Sequence, residues 1–313
     1  MKAIQLFSPA KINLFLSVLG LREDGFHELL SLVCPLDFGD YLHLTLCDEP
    51  GDDSLQCDSA EVPTDSSNLI LQAVEMFRQQ HYFSGRVLVK LKKQIPMGAG
   101  LGGGSSNAST TLWGLNSLLG SPLGLDEVLT IAEGVGSDCP LFLHGGAVVL
   151  RGRGELVSSV PLSLCDSLSR REVLLLVPGL HVSTPWAYNC FREQSEAYDI
   201  KEDSEQHLAR YISGSISHAE LLRNNFEPVV FSKFVGLHAL KKEAQSITGS
   251  PVLLSGSGST LFLLLPSGVN DIEKLSIIDQ LKEAFGGEFG LVKAGLAPFP
   301  RSPLNFFEDT NPF

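Results

Sequence analysis

Glycine and serine dominate one short segment of the chain, residues 96–108, whose sequence is PMGAGLGGGSSNA. An alternating apolar run, residues 87–91, comes before it, and a predicted helix, residues 107–119, follows it. Glycine has no Cβ, so its backbone N–H group can approach an anion closely, and a helix N-terminus carries partial positive charge. The segment therefore predicts a phosphate-binding loop in preference to a flexible surface loop.

Several phosphate loops share this composition, and their details differ. A Walker A loop would end in Gly-Lys-Ser/Thr, whereas here Gly104 is followed by Ser105. A GxGxxG pattern over residues 98–103 is also typical of dinucleotide-binding folds, but the acidic residues 126 and 127 begin a predicted helix instead of ending a strand. The HRD and DFG signatures of a protein kinase are missing from the sequence.

Lys11 sits in an apolar run that is typical of a strand, and the alternating pattern predicts strands over residues 4–6 and 12–19. A period of two places Lys11, Asn13 and Phe15 on one face of this strand and residues 12, 14 and 16 on the other. Lysines are seldom buried without a partner. Two interpretations follow from the pattern: an edge-strand lysine that points to water, or a lysine that reaches a carboxylate and a reacting hydroxyl.

Two further positions carry groups suited to chemistry. Asp138 stands between Gly-Ser and Cys-Pro, a context that predicts a helix start, so it is either an N-cap or a carboxylate held precisely by that helix. Phe26 and His27 follow the turn signal Asp24-Gly25. This aromatic–imidazole pair is either a packed loop or a site that stacks on a flat ring and bonds to its edge.

The glycine segment is similar to the central Pro-x-Gly-x-Gly-Leu-Gly-x-Ser-Ser motif of the GHMP kinases. Its triple glycine before Ser-Ser-Asn-Ala most resembles the 4-diphosphocytidyl-2-C-methyl-D-erythritol kinase branch. The opening SPAKINLFL with REDGFHEL, the middle GSDCPLF and the late LSGSGST also resemble that family, in its order. The resemblance implies ATP-dependent phosphorylation of the 2-hydroxyl of 4-diphosphocytidyl-2-C-methyl-D-erythritol.

The resemblance also implies an α+β fold of two domains with the active site between them. Residues 1–162 would form an ATP-binding domain like the second domain of ribosomal protein S5. Residues 163–297 would form a ferredoxin-like domain, and residues 298–313 an irregular tail. Residues 161–171 mix Pro, Ser, Asp and Arg and are the predicted boundary.

Carried over residue by residue, the family pattern makes Asp138 the base and Lys11 its partner, and it gives ATP and Mg²⁺ as cofactors, with the metal ligands left open. The predicted ATP-binding residues are Pro96, Met97, Gly98, Ala99, Gly100, Leu101, Gly102, Gly103, Gly104, Ser105, Ser106, Asn68 and Lys93. The predicted substrate-binding residues are Asn13, Phe26, His27, Thr184 and Tyr188. Val33 and Val149 replace phenylalanines that are often seen in the family, and Asn68 and Lys93 could equally be a cap and a solvated lysine.

The bulk composition limits the other possibilities. The chain has 313 residues and a formal net charge of −13, which argues against a nucleic-acid-binding surface. No 18-residue apolar span and no signal peptide are found, and six cysteines without metal spacing are typical of buried thiols, so we expect a cytoplasmic enzyme. The alternatives are another GHMP kinase, of homoserine or mevalonate type, and an NAD-binding oxidoreductase. The oligomeric state stays open.

Overall fold

The structure is a computed structural model that describes residues 1–169, 171–266, 268–286 and 289–299. Two sheets organise it. The strands, in chain order, are β1 (Lys2–Leu21), β2 (His27–Cys47), β3 (Ser54–Cys57), β4 (Arg86–Lys92), β5 (Val148–Arg151), β6 (Leu156–Ser159), β7 (Glu172–Val177), β8 (Arg223–Asn224), β9 (Val252–Leu254), β10 (Leu261–Leu264) and β11 (Gly290–Gly295).

Helices cover both sheets. They are α1 (Leu69–Gln80), α2 (Gly103–Leu118), α3 (Leu125–Val135), α4 (Cys139–His144), α5 (Leu162–Leu168), α6 (Thr184–Glu193), α7 (Lys201–Ile212), α8 (His218–Leu221), α9 (Phe226–Lys233), α10 (Val235–Thr248) and α11 (Asp271–Phe285). A single 3₁₀ turn, Ser195–Ala197, precedes α7.

The first sheet has seven strands in the described part of the chain. Its main path runs β3-β4-β2-β1-β8, and β5 extends from β2 and carries β6. The second sheet runs β11-β7-β10-β9 and is antiparallel throughout. Among the described strands, only β1–β8 and β3–β4 pair in parallel, so the parallel sheet that a dinucleotide-binding oxidoreductase would need is not the architecture found here. The predicted α+β class is confirmed.

Among the described residues, the three largest of four apolar clusters hold these layers together. One lies between the first sheet and α1, α2 and α3. A second packs the four-stranded sheet against α6, α9, α10 and α11. The third contains residues of β1, β2, the glycine segment, α5, α7 and the second sheet, and so joins the two halves of the molecule. The glycine segment is therefore anchored at the junction of the two sheets.

Strand β1 differs from its predicted form in two ways. Sequence patterns predict separate strands at residues 4–6 and 12–19, whereas β1 is one continuous strand. Its pairing with β2 contains register shifts, one of them between Pro9 and Lys11. A second shift lies between Asn13 and Phe15 and inserts an extra residue. Because a bulge reverses the alternation of faces, Phe15 packs with Ile12 instead of sharing the face of Lys11. The predicted face of Lys11, Asn13 and Phe15 was therefore wrong for Phe15.

The structure differs from two other predictions made from the sequence. Helix α2 begins at Gly103, four residues before its predicted start, because Gly102 takes the left-handed conformation and ends the loop there. Residues 161–171, predicted as an irregular boundary, contain α5, whose residues Leu164, Cys165 and Leu168 form a buried apolar face. The predicted tail, residues 298–313, lies outside the described residues from residue 300 onward.

Candidate active site

Lys11 and Asn13 form a buried polar pair in the middle of β1. The Lys11 side chain is 5% exposed, and its Nζ donates a hydrogen bond to Asn13 Oδ1 at 2.7 Å. Asn13 Nδ2 in turn donates to Ser31 Oγ at 2.9 Å. Because Lys11 is buried, the interpretation of an edge-strand lysine that points to water is wrong. The ammonium group is thus oriented inside the molecule by a side-chain amide.

Asp138 occupies the N-cap position of α4, but its side chain makes no capping hydrogen bond. Its carboxylate therefore stays available for another role. Burial lowers the pKa of Lys11, and the negative charge of Asp138 opposes this by raising it. The same carboxylate adds to burial in raising the pKa of Tyr188. Asp138 is therefore close enough to act electrostatically on both Lys11 and Tyr188.

The glycine segment, defined as residues 96–106, is pressed against the lysine strand. Gly102 has φ +72°, and a Cβ built there would lie 3.0 Å from Lys11 Cγ and 3.0 Å from Phe142 Cζ. The backbone N–H of Lys11 donates to Leu101 O at 3.0 Å. Glycine is thus required at position 102 both for its left-handed conformation and for its close approach to the lysine.

A second glycine loop, residues 255–260, closes over the first. Thr260 N donates to Ala99 O at 3.1 Å, and Ser255 Oγ donates to Gly100 O at 3.0 Å. Gly100 has φ +77°, and a Cβ there would lie 2.1 Å from Ser255 O. Two segments far apart in sequence therefore form one continuous backbone wall beside Lys11.

Helix α2 begins directly after the glycine residues that form this wall, at Gly103. Its N-cap is Gly102, which offers no side chain to its first-turn N–H groups, and no acidic residue lies in that turn. Ser105 is half-buried at the start of the helix. Ser106 is 0% exposed, and its Oγ accepts a hydrogen bond from Ser8 Oγ at 2.8 Å. The open N–H groups and the helix dipole suit an anion, and Ser106 supports that helix from within the core.

Asn68 and Lys93, the two residues predicted near adenine, are engaged within the protein. Asn68 Oδ1 caps α1 by accepting from Ile70 N at 2.9 Å, and its Nδ2 donates to Pro63 O at 2.7 Å. Lys93 forms an ion pair with the fully buried Asp40. Both side chains therefore have structural partners, and their predicted contact with ATP stays a prediction.

Asp40 stabilises the backbone that leads into the glycine segment. Its Oδ1 accepts from Gln94 N at 2.7 Å and from Ile95 N at 2.8 Å, and its Oδ2 accepts from Asn107 Nδ2 at 2.9 Å. A buried carboxylate is tolerated only when such donors surround it. Asp40 thus fixes β4, the glycine segment and α2 relative to one another.

Phe26 and His27 differ in their burial and in the side chains that they contact. Phe26 is 47% exposed, and the Arg153 guanidinium lies 4.9 Å from its ring centroid. His27 is 5% exposed and stacks on Tyr188 with ring centroids 5.0 Å apart. Burial, and then the charge of Arg192, lower the pKa of His27, so its imidazole is neutral near pH 7.

His27 nevertheless keeps an unsatisfied nitrogen. Its Nε2 is buried and has no hydrogen-bond partner within the described part of the chain. A buried polar atom without a partner is costly, which is consistent with a group that a ligand completes. Thr184, at the start of α6, shares a hydrogen bond of 2.8 Å between its Oγ1 and Ser257 Oγ, so the helix that carries Tyr188 is tied to the second glycine loop. Val33 and Val149 are buried core residues.

Several neighbours of the site carry no recognisable sequence signal. Ser31 and His181 lie in segments without a motif, and a Cβ on Gly98 would lie 2.0 Å from His181 Nδ1. Asp40 carries no distinct signal either, because β2 also contains Glu28 and Asp37. No group of three or more His, Cys, Asp or Glu side chains suited to a metal ion occurs among the described residues.

The chain is similar to known kinases in sequence and in structure. A profile of the GHMP kinases N-terminal domain matches residues 68–146. A 4-diphosphocytidyl-2-C-methyl-D-erythritol kinase from Methylacidiphilum infernorum is 38% identical over 277 residues, which cover 86% of this chain and 90% of that protein. A solved 4-(cytidine 5'-diphospho)-2C-methyl-D-erythritol kinase superposes with a TM-score of 0.70 at 30% identity, covering 93% of this chain and 99% of the other.

A homoserine kinase from Cytophaga hutchinsonii also superposes, with a TM-score of 0.70 over 96% of this chain and 98% of the other. Its sequence identity is 21%, so it shares the fold alone. The branch is decided by the two matches at 38% and 30% identity, which cover 86% and 93% of this chain. The chain therefore belongs to the 4-diphosphocytidyl-2-C-methyl-D-erythritol kinase family of the GHMP kinases.

Proposed function

We propose that this protein transfers the γ-phosphoryl group of ATP to the 2-hydroxyl of 4-diphosphocytidyl-2-C-methyl-D-erythritol, a step of the non-mevalonate isoprenoid pathway. One observation carries the proposal. The N-terminus of α2 lies beside the buried Lys11. The carboxylate of Asp138, which makes no capping hydrogen bond to α4, is close enough to raise the pKa of this lysine. Phosphoryl transfer to an alcohol requires a site that binds the phosphates, a positioned base for the hydroxyl proton and a positive charge near the transferred group.

Each residue has a distinct part in this reaction. Asp138 accepts the proton of the substrate hydroxyl, since its oxygens are not used in capping. Lys11 stabilises the negative charge that develops during transfer, and Asn13 keeps the Lys11 Nζ in position. The N-terminal turn of α2 and the glycine segment bind the triphosphate through backbone N–H groups.

Mg²⁺ fits this arrangement as an expected cofactor. Magnesium in kinases is usually held by one or two carboxylates together with phosphate oxygens, so a dedicated cluster of protein ligands is not required. The Ser105 hydroxyl, at the start of α2, is the hard oxygen donor of this chain that we assign to it, together with the phosphate oxygens of ATP. When bound, Mg²⁺ neutralises phosphate charge.

The nucleoside end of the substrate fits the aromatic side of the cleft. We assign Phe26 to stacking on cytosine, because its ring is exposed and Arg153 covers only part of it. The unsatisfied His27 Nε2 would bond to the edge of the base, with Tyr188 behind the imidazole. Thr184 is assigned to the same pocket because it links α6 to the second glycine loop.

The domain boundaries, the partners and the cellular location are proposed from the same family resemblance. Residues 1–162 form the ATP-binding part and residues 163–297 the second part, although β8 of the later segment pairs with β1. The proposed partners are small molecules, without nucleic acid, and the proposed location is the cytoplasm. No helix in the described ranges is both long enough and apolar enough to cross a bilayer.

An acceptor test separates this function from other GHMP activities. ADP release would be measured with 4-diphosphocytidyl-2-C-methyl-D-erythritol, homoserine and mevalonate at equal concentrations. We expect turnover with the cytidylyl substrate alone, because the other two have no base for Phe26 and His27. Preferred turnover of homoserine or mevalonate would replace the proposal with that activity.

A further inference from the structure

Ser31 lies on β2 beside the buried pair of Lys11 and Asn13. Asn13 is paired across the sheet with Val33, and Ser31 lies two residues from Val33 along β2. Side chains two residues apart on a strand project from the same face, so Ser31 and Asn13 are diagonal neighbours on one face of the sheet. Because Ser31 is buried, its hydroxyl has to find its hydrogen-bond partners inside the protein.

The two ends of this hydrogen-bonded chain fix the direction of every bond in it. Ser31 Oγ donates its single proton to the backbone carbonyl oxygen of Phe15 at 2.7 Å, so it can only accept from Asn13. Asn13 Nδ2 donates to it at 2.9 Å, which turns Oδ1 of the same amide towards Lys11. Lys11 Nζ, which has donors and no acceptor, donates to that oxygen at 2.7 Å. A carbonyl at one end and an ammonium group at the other therefore require the same orientation of the amide.

The other surroundings of Lys11 are backbone and one negative charge. A Cβ built on Gly256, in the second glycine loop, would lie 3.2 Å from Lys11 Nζ and 3.5 Å from Asn13 Oδ1, so this loop covers their contact. Neither glycine loop contains an acidic or basic side chain. The charge that acts on Lys11 is that of Asp138, at the start of α4. The Asn13 oxygen therefore positions the ammonium group, and Asp138 supplies the nearby negative charge.

We infer that Ser31 is a positioning residue of the kinase reaction, which holds the Asn13 amide so that Oδ1 and not Nδ2 faces the Lys11 ammonium group. Its effect on catalysis rests on the proposed function, whereas the orientation of the amide is a property of the folded protein. Without the serine hydroxyl, the amide is free to turn over. Nδ2 would then face Lys11 as donor against donor, displace the ammonium group and disfavour its charged form.

Ser31→Ala removes the acceptor of Asn13 Nδ2, and Ser31→Thr keeps it. We expect kcat of Ser31→Ala to fall at least about tenfold, the loss typical of a hydrogen bond to a charged group, with both KM values nearly unchanged. The alkaline fall of kcat should move to lower pH, because protonated Lys11 loses its acceptor. Ser31→Thr should restore both properties. Ser17→Ala is the matched control, because Ser17 is a buried serine of β1 whose hydroxyl donates to Asp199.

A second measurement does not depend on catalysis. NMR titration of isotopically labelled lysine Cε signals, with the Lys11 signal assigned from its loss in Lys11→Arg, follows the protonation of Lys11 directly. We expect a lower Lys11 pKa in Ser31→Ala than in the unmodified protein, because the charged form has lost its hydrogen-bond acceptor. Ser31→Thr and Ser17→Ala should titrate like the unmodified protein.

The two measurements separate this role from the proposed function. An unchanged Lys11 pKa in folded Ser31→Ala overturns the role of Ser31 and leaves the proposed function standing, even if the thermal midpoint falls. A lowered pKa with normal kcat overturns the catalytic effect. An equal loss in Ser31→Thr would assign the effect to packing and overturn the role as well. If the unmodified protein does not phosphorylate the cytidylyl substrate, the proposed function fails, and the NMR titration still decides the orientation of the amide.

A further variant covers the case in which Ser31→Ala does not fold. Ser31→Cys then takes its place, because a thiol keeps most of the side-chain volume but is a weak acceptor. The Lys11 pKa should again be lowered, and a normal value would overturn the role of Ser31.

Discussion

Asp138 is a half-buried carboxylate at the start of α4 whose oxygens are not used in capping. Asp138→Asn keeps the shape of the side chain and removes the base. We expect a loss of about 10²–10⁴-fold in kcat, with ATP binding nearly unchanged. Steady-state kinetics and ATP titration would measure the two effects. Asp126→Asn, on the exposed first turn of α3, is the matched control and should be neutral. A folded Asp138→Asn enzyme with normal kcat would remove Asp138 from the reaction.

Lys11 gives a pH dependence with a definite sign. Burial lowers its pKa below the ordinary 10.5, although the Asp138 charge opposes the shift. Its charged form is therefore lost at a lower pH than that of an exposed lysine, and kcat should fall along an alkaline limb that begins below pH 10.5. In Lys11→Arg the residual activity should lose this limb, because arginine stays charged. Lys90→Arg, an exposed lysine on β4, should keep it.

The lowered pKa of Lys11 means that its charge destabilises the folded state, whereas the charge of an ion-paired lysine with a raised pKa stabilises it. The folded state disfavours the charged form, so the burial penalty is present in full below the folded pKa. It is relieved as the pH rises from the folded pKa towards the unfolded value. The unmodified protein should therefore gain stability as the pH rises through this interval, and Lys11→Met, which has no titrating group there, should lack that gain. Denaturant unfolding at neutral and at alkaline pH would measure both proteins, and the same gain in Lys11→Met would contradict the assigned penalty.

Phe26 is exposed and available for stacking. Base–aromatic stacking is worth about 1–3 kcal/mol, so Phe26→Ala should raise KM for the cytidylyl substrate about 5–150-fold. ATP affinity should not change. Tyr82→Ala, an exposed aromatic in another loop, should leave both constants unchanged. An unchanged KM in Phe26→Ala would return Phe26 to the role of a surface residue.

For single residues, the sequence predicted a position correctly where a motif specifies that residue. It did not predict the environment of a side chain where residues distant in sequence determine it. Lys11 was predicted inside a strand and is found buried there. Phe26 and His27 are adjacent in sequence, and no pattern reveals that one faces solvent while the other stacks on Tyr188. The bulge after Asn13 depends on pairing with β2, which a single strand does not encode.

At the scale of elements, the contact between the two glycine loops is the most sensitive feature. A Cβ on Gly100 would lie 2.1 Å from the Ser255 carbonyl oxygen, a backbone atom that cannot move aside cheaply. Gly100→Ala should weaken ATP binding and lower the thermal midpoint. Gly120→Ala is a matched control, because Gly120 also has a positive φ, +86°, but its Cβ would meet nothing within 4 Å. It should show only the conformational penalty, about 1–2 kcal/mol.

Thermal unfolding and calorimetry with ATP would compare the two glycine variants. Equal behaviour would mean that positive φ alone explains the requirement for glycine at position 100. The sequence predicted the first loop and singled out the second as the motif LSGSGST, because glycine patterns are local. It did not predict that the loops bond to each other, since that contact joins residues about 155 positions apart in the chain.

At the scale of the whole molecule, net charge opposes binding of the substrates. The formal charge is −13, and the proposed ligands are anions. Several cations near the site are already engaged: Lys93 pairs with Asp40, and Arg22 pairs with Asp24 and Glu28. Long-range repulsion should therefore slow encounter, while the α2 N-terminus attracts phosphate only at short range.

Salt should then accelerate ATP association. Raising NaCl from about 10 to 150 mM shortens the screening length from about 30 Å to about 8 Å, which weakens repulsion from the distant surface more than attraction at the helix N-terminus. Stopped-flow measurement with a fluorescent ATP analogue should show an association rate that rises over this range. Replacing the exposed Asp52 and Glu61 by lysine should flatten the rise without changing kcat. A rate that falls steadily with salt would mean that the local field of the glycine segment and α2 dominates the approach of ATP even at long range.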